Sequence, residues 1–224
     1  MSNTLFPIFL KTETAHFLIV GGGNVGLEKT ETLLKQNPTI RITIVATYFH
    51  PKLTKIISQH ENISFFERAF EENDLQNKDF VIITTDKPEI NLEVRELAKS
   101  KGIKANAADQ PDLCDFYLGS IVTKGSLKIA ISTNGKSPVL ARRMREYFTE
   151  VIPDNIEESI EVLNQFRANH KGDFHEKLAD LNKITQGFKG NKKEKDSKKY
   201  PSRLHTCHEP GSSGEAFDHR SFRI

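Results

Sequence analysis

Tryptophan is absent from this 224-residue chain, cysteine occurs only as Cys114 and Cys207, and no long apolar run is found. Two cysteines so far apart cannot build a disulfide framework, which excludes the small cystine-stapled class and fits a reducing compartment. No stretch approaches the ~18 apolar residues of a membrane-spanning helix, and the first residues lack the basic start and apolar core of a secretory leader. The chain is therefore read as cytoplasmic, with no membrane partner. A strong charge of one sign is missing too. The net charge is +2, from 32 Lys/Arg and 30 Asp/Glu, and the segment 190–224 holds 8 and 5 of these. The remaining 24 and 25 leave residues 1–189 with no basic excess, so a nucleic-acid partner is not expected. The last 35 residues or so offer almost nothing apolar to bury and read as a disordered tail. Its His205, Cys207 and His208 lack a second, properly spaced ligand pair, and no metal site is assigned to them.

What the chain does have is alternation. Strand-like runs at 15–20, 40–46, 63–67, 80–85 and 103–106 are separated by helix-patterned stretches. One of these, 25–36, turns Leu27, Leu33 and Leu34 inward. Another, 88–101, starts on Pro88, carries Ile90, Leu92, Val94, Leu97 and Ala98, and stops at Gly102. Strands alternating with helices predict βαβ units and an α/β fold, here a Rossmann-type parallel sheet over residues 1–112. After that the pattern changes. Two strands at 116–122 and 127–132, joined by Thr123-Lys124-Gly125-Ser126, suit a hairpin that extends the sheet or reaches toward another subunit. Ser137 and Pro138 then provide an N-cap and first turn for a helix at 139–151 bearing Arg142, Arg143 and Arg145. Residues 113–150 form this strand and helix region, and 151–189 a small helical C-terminal domain.

The first strand runs directly into Gly21-Gly22-Gly23-Asn24-Val25-Gly26 and then into a helix. A bare G-x-G-x-x-G is common by chance, but between a strand and a helix each glycine has a task. Gly21 makes the tight turn, Gly23 lets a pyrophosphate approach the backbone, and Gly26 allows close packing of the helix, whose free N–H groups face the phosphates. Asn24 and Val25 lie in the same turn.

Other candidates sit at strand ends. The second strand ends on Ala46-Thr47-Tyr48-Phe49, with neither the acid that commonly holds ribose hydroxyls nor an arginine for a 2′-phosphate, so NAD and NADP are poorly distinguished. Thr47 and Tyr48 offer hydroxyl and backbone contacts instead. Thr84 and Thr85 end the fourth strand at the edge where ligands of open α/β sheets bind, and Asp109 follows the fifth strand at the same edge. A carboxylate there can accept a proton as a hydride leaves. A loop aspartate before a proline is also ordinary turn chemistry, and spacing alone leaves its role open. Tyr48 and Lys52 fit Y-x-x-x-K, but Pro51 falls inside the spacing, so the match is coincidental. Lys136, Arg142, Arg143 and Arg145 form either a solvated helix face or, near the N-terminus capped by Ser137, a site for an anionic ligand.

Four segments occur together: Leu5-Phe6-Pro7-Ile8-Phe9-Leu10, the glycine turn with Lys29 after it, Asn106-Ala107-Ala108-Asp109-Gln110-Pro111, and Ser132-Thr133-Asn134-Gly135-Lys136-Ser137-Pro138-Val139-Leu140-Ala141-Arg142. In order and spacing they resemble the precorrin-2 dehydrogenase family, that of the amino-terminal part of bacterial siroheme synthase and of its yeast counterpart, which is also a ferrochelatase. The likeness runs over about residues 3–150, with a weaker helical continuation to about 188. It implies NAD as cofactor, precorrin-2 as the substrate oxidised to sirohydrochlorin, ferrous iron as a further substrate in some members, and an intertwined homodimer. Asp109 falls on the family's aspartate implicated in both reactions, and Asn24, Val25, Thr47 and Tyr48 fall on its dinucleotide-contacting positions. Lys136, Ser137 and Arg142 would then meet the carboxylates of the tetrapyrrole. The large methyltransferase domain of the bacterial synthase is missing, so a standalone dehydrogenase is expected. An NAD-sensing regulatory module without catalysis, and a dehydrogenase acting on a small acid, are the competing readings.

Overall fold

The computed structural model describes residues 3–169 and 173–185. Its five-stranded sheet is wholly parallel, with β1 (His16–Gly22), β2 (Arg41–Phe49), β3 (Ile63–Glu67), β4 (Phe80–Ile83) and β5 (Lys104–Ala107) in the spatial order β3-β2-β1-β4-β5. Between them run α1 (Asn24–Gln36), α2 (Pro51–Ile57) and α3 (Pro88–Ser100). The expected α/β architecture is present. Successive residues of β1 serve opposite faces of the sheet: Phe17 and Ile19 pack with Leu33, Leu34, Leu53 and Ile57 of α1 and α2, whereas Leu18 and Val20 pack with Val94 and Ala98 of α3. Both faces are covered at the centre of the sheet, which is why β1 and β4 read as continuous apolar runs. Burying each such Ile, Leu or Val contributes roughly 1.5–3 kcal/mol.

The chain leaves β1 toward β2 on one side and enters β4 on the other, so the strand order reverses between β1 and β4. Ligands of open α/β sheets bind at the carboxyl ends of the strands flanking such a reversal.

Several boundaries differ from the sequence reading for physical reasons. β2 continues through Thr47 and Tyr48 to Phe49, because its pairing with β1 slips from Val20↔Val45 to Gly22↔Phe49 and accommodates extra residues in a bulge. Helix α2 was not expected. His50 caps it, its Nδ1 accepting from the Lys52 N–H at 3.1 Å, and Pro51 takes the first helical position. Tyr48 thus lies on a strand and Lys52 on a helix, and the two share no helical register. Leu92 is half exposed on α3, unlike Val94 and Ala98. The expected strand from 116 starts only at Ser120, since Asp115 and Phe116 are tied to the edge of β5.

β6 (Ser120–Lys124) and β7 (Leu127–Ile131) form an antiparallel hairpin that is a sheet of its own and does not extend the parallel one. α4 (Pro138–Val151) packs on it. Lys124 reaches Asp154 and the Ile152 carbonyl, and Glu157 accepts from the Ser126 N–H and hydroxyl, stitching the hairpin tip to the chain that follows α4. The chain separates into two units, Met1–Glu158 and Ser159–Ile224. The expected C-terminal helical region consists of α5 (Ile156–Asn169) and α6 (Phe174–Ile184), the latter capped by Asp173, whose carboxylate accepts from the Glu176 N–H at 2.9 Å. The segment read as a tail, with His205, Cys207 and His208, lies outside the described residues. Among the described residues no helix is long and apolar enough to cross a membrane.

Candidate functional site

The glycine turn occupies the carboxyl end of β1, and its shape follows from what surrounds each glycine. Gly21 has φ +117°, and a Cβ there would stand 2.5 Å from Thr84 Oγ1. A Cβ on Gly26 would collide with the Gly21 carbonyl oxygen, so α1 can start this close to the strand only with glycine at that position. Gly22 is equally constrained, because the Tyr48 carbonyl of the β2 bulge occupies the space a side chain would need. Gly23 differs from all three: a Cβ there would meet nothing within 4 Å. The open space lies over the start of α1, where no side chain caps the helix and no acid stands in the first turn. The first N–H groups of a helix have no partners within it, and with the helix dipole they favour an anion. An open approach at Gly23 with unclaimed donors behind it fits the pyrophosphate of a dinucleotide.

Thr84 closes the turn from β4. Its hydroxyl lies 3.1 Å from the carbonyl oxygens of both Val20 and Gly21. Thr85 serves the next helix: its Oγ1 donates to Asn91 Oδ1 at 2.6 Å, and Asn91 Nδ2 donates back to the Thr85 carbonyl. Both threonines therefore stand at the expected edge with their hydroxyls engaged in shaping it. Asn91, almost fully buried on α3, was not singled out from sequence; a polar residue on the inward stripe of a helix was the available signal. Thr47 and Tyr48 are exposed on the β2 bulge, beside the turn, and Asn24 is exposed and Val25 half-buried in the first turn of α1.

Asp109 projects from the loop after β5, exposed and with φ +58°, a left-handed backbone uncommon outside glycine. The loop starts beside β4, where the Ala108 N–H donates to the Ile83 carbonyl at 2.9 Å. It returns to β5 at Cys114 and Asp115. Burial pushes the Cys114 thiol up from its ordinary pKa, keeping it protonated, and it lies 3.2 Å from the Ala107 carbonyl and 3.4 Å from that of Gln110. Asp109 thus shares the carboxyl edge of the sheet with the glycine turn, with β4 between β5 and β1.

Lys136, Ser137 and Arg142 lie elsewhere in the chain, after the hairpin. Ser137 Oγ caps α4 by accepting from the Leu140 N–H at 3.2 Å, and Ser137 also exchanges two hydrogen bonds with Thr133. Arg142 and Arg143 both pair with Glu146, at 3.0 and 2.8 Å. Lys136 is exposed after the turn formed by Asn134 and Gly135. Among the described residues no hydrogen bond or ion pair joins these three to Asp109 or to the glycine turn, and no group of three or more His, Cys, Asp or Glu gathers as a metal site.

A family model described as "Putative NAD(P)-binding" matches residues 8–120, and one described as "Sirohaem biosynthesis protein central" matches 124–148. A siroheme synthase of Pseudoalteromonas translucida is 36% identical over 181 residues, which is 81% of this chain and 37% of that protein. One from Psychromonas ingrahamii is 37% identical over 161 residues, 72% of this chain and 34% of that one. The chain thus spans about a third of the length of these curated relatives. The solved structure of SirC, precorrin-2 dehydrogenase, superposes with a TM-score of 0.62 at 21% identity, covering 80% of this chain and 89% of that one, and so shares its fold.

Proposed function

Because the chain belongs to the NAD(P)-binding family of siroheme biosynthesis proteins, we propose that it oxidises precorrin-2 to sirohydrochlorin, with NAD as the hydride acceptor. The observation that carries this reading is the carboxyl edge of the sheet, where a glycine turn open at Gly23 and the carboxylate of Asp109 flank the strand-order reversal. NAD, when bound, supplies the two-electron sink. Gly21, Gly23, Asn24, Val25 and Gly26 would hold its pyrophosphate, Thr47 and Tyr48 would line its adenosine end, and Thr84 and Thr85 would form the wall at β4. Asp109 receives on a carboxylate oxygen the proton that leaves the macrocycle as the hydride departs.

In this reading substrate carboxylates meet Lys136, Ser137 and Arg142 across a homodimer. Support comes from α4, of whose 14 residues only Ala141 is buried while Val139, Leu140, Tyr147 and Val151 stay exposed even though the helix packs on the β6–β7 hairpin. A second copy would cover these surfaces and would bring α4 toward a partner's crevice.

The test is an anaerobic incubation of the protein with precorrin-2 and NAD. The expected result is a sirohydrochlorin absorption band rising with NADH, and its loss in Asp109→Ala by about 10²–10⁴-fold. NAD binding with neither product would mark a sensor instead. A parallel incubation with ferrous iron reads whether sirohydrochlorin is carried on to siroheme.

A further inference from the structure

The loop that carries Asp109 is clasped at its neck by side chains that the proposed reaction leaves unused. β5 is the edge strand of the parallel sheet, so the outward backbone groups of Ala105 have no neighbouring strand. Asp115 takes that place with one residue. Its backbone N–H donates to the Ala105 carbonyl at 2.7 Å, and its carboxylate Oδ2 accepts from the Ala105 N–H at 2.9 Å. Arg95 of α3 holds the other carboxylate oxygen at 2.8 Å, in a pair whose side chains are mostly shielded, 13% and 25% exposed. Asn106, buried on β5, adds a third tie by donating from Nδ2 to the Phe116 carbonyl at 2.8 Å. The returning chain cannot slide along β5 without breaking all of these.

Between the two ends of this clasp lie only six residues, 109–114, and Asp109 holds a left-handed backbone among them. Aspartate tolerates this conformation better than most residues, and local hydrogen bonds hold it here. Those bonds are the Ala108 bond to β4 on one side, the ties of Gln110 and Cys114 to Ala107 within the loop, and the Asp115 bonds to β5 on the other. We propose that Asp115, gripped by Arg95, is a positioning residue: it closes the 108–116 loop onto the edge of β5 and so fixes the direction in which the Asp109 carboxylate meets substrate. The inference rests on the proton-accepting role given to Asp109 above. Side-chain bonds of this kind matter to a reaction because a displacement of about 1 Å of a reacting group can cost on the order of a hundredfold in rate.

The test is a double-mutant cycle in the full chain, with Asp115→Asn, Arg95→Lys and Asp109→Ala made singly and Asp115→Asn combined with Asp109→Ala. Asp115→Asn keeps an oxygen for the Ala105 N–H but sets an NH₂ against the Arg95 guanidinium, which makes it milder than truncation. Expected is a fall in kcat of between about 10- and 100-fold with the KM for NAD unchanged, a smaller fall for Arg95→Lys, and no further fall when Asp115→Asn is added to Asp109→Ala. The same fold-loss in both backgrounds would overturn the proposal, since Asp115 would then act on something other than Asp109. Hydrogen exchange at the amides of Ala105, Ala108 and Gln110 reads the clasp without reference to turnover. It should quicken in Asp115→Asn while the amides of α1 keep their protection, and unchanged exchange would also overturn the proposal. If Asp109→Ala oxidises precorrin-2 at the wild-type rate, the role given to Asp109 is what fails, and the exchange data still report whether Asp115 holds the loop.

Discussion

An alanine at position 23 would find open space, whereas one at position 26 would press its methyl group into the Gly21 carbonyl oxygen. The two substitutions should therefore separate ligand binding from folding. Gly23→Ala is expected to change stability by no more than about 1 kcal/mol while weakening NAD about tenfold or more, because the methyl stands where the pyrophosphate must approach. Gly26→Ala is expected to cost about 1–3 kcal/mol in urea unfolding, since the obstacle is backbone and cannot swing aside. Equal effects of both on stability would contradict the geometry. At this scale the sequence was informative where spacing carries the constraint, as for Gly21, Gly23 and Gly26. It was silent on Gly22, whose constraint comes from the Tyr48 carbonyl on another strand, and on Asp115, whose partners lie 10 and 20 residues away.

Elements depend on a few side chains whose loss can be measured. Ser137 caps α4, and Ser137→Ala should lower stability by about 1 kcal/mol in urea unfolding, with a null result showing that the cap is not used. Asp74, buried after β3, is worked on by opposing influences: burial tends to raise its pKa, while the two-pronged Arg68 guanidinium and the Glu71 N–H outweigh that and hold it below the usual carboxylate value. A carboxyl whose pKa is lowered by folding adds stability above its unfolded pKa and loses it as pH falls through the folded one. Stability should accordingly be held down to about pH 4 and drop below it, less steeply in Asp74→Asn. An identical slope in the two proteins would remove Asp74 from the account. Strands β1 and β4 were legible because the apolar runs at 17–20 and 80–83 are uninterrupted. The end of β2 was not, because its bulge is set by pairing with Gly22, and α2 was hidden because Pro51 reads as a strand stop as readily as a helix start.

In the whole molecule the place of α4 is set by what covers its apolar face, which periodicity does not encode. Its apolar residues mark a face without saying what covers that face, and Val139, Leu140, Tyr147 and Val151 remain exposed in the single chain. Sedimentation should give about twice the 25.4 kDa of one chain, and Leu140→Asp with Tyr147→Glu should return it to one while NAD binding at the glycine turn survives. A wild-type monomer would contradict the homodimer and leave Lys136, Ser137 and Arg142 without a route to substrate. If the glycine turn and Asp109 serve one oxidation, NADH and sirohydrochlorin form together, and both can be counted in a single anaerobic reaction. Their ratio should be about one, as a two-electron oxidation by hydride transfer requires; sirohydrochlorin appearing without NADH, or NAD bound with neither product formed, would rule out the joint role of the turn and Asp109.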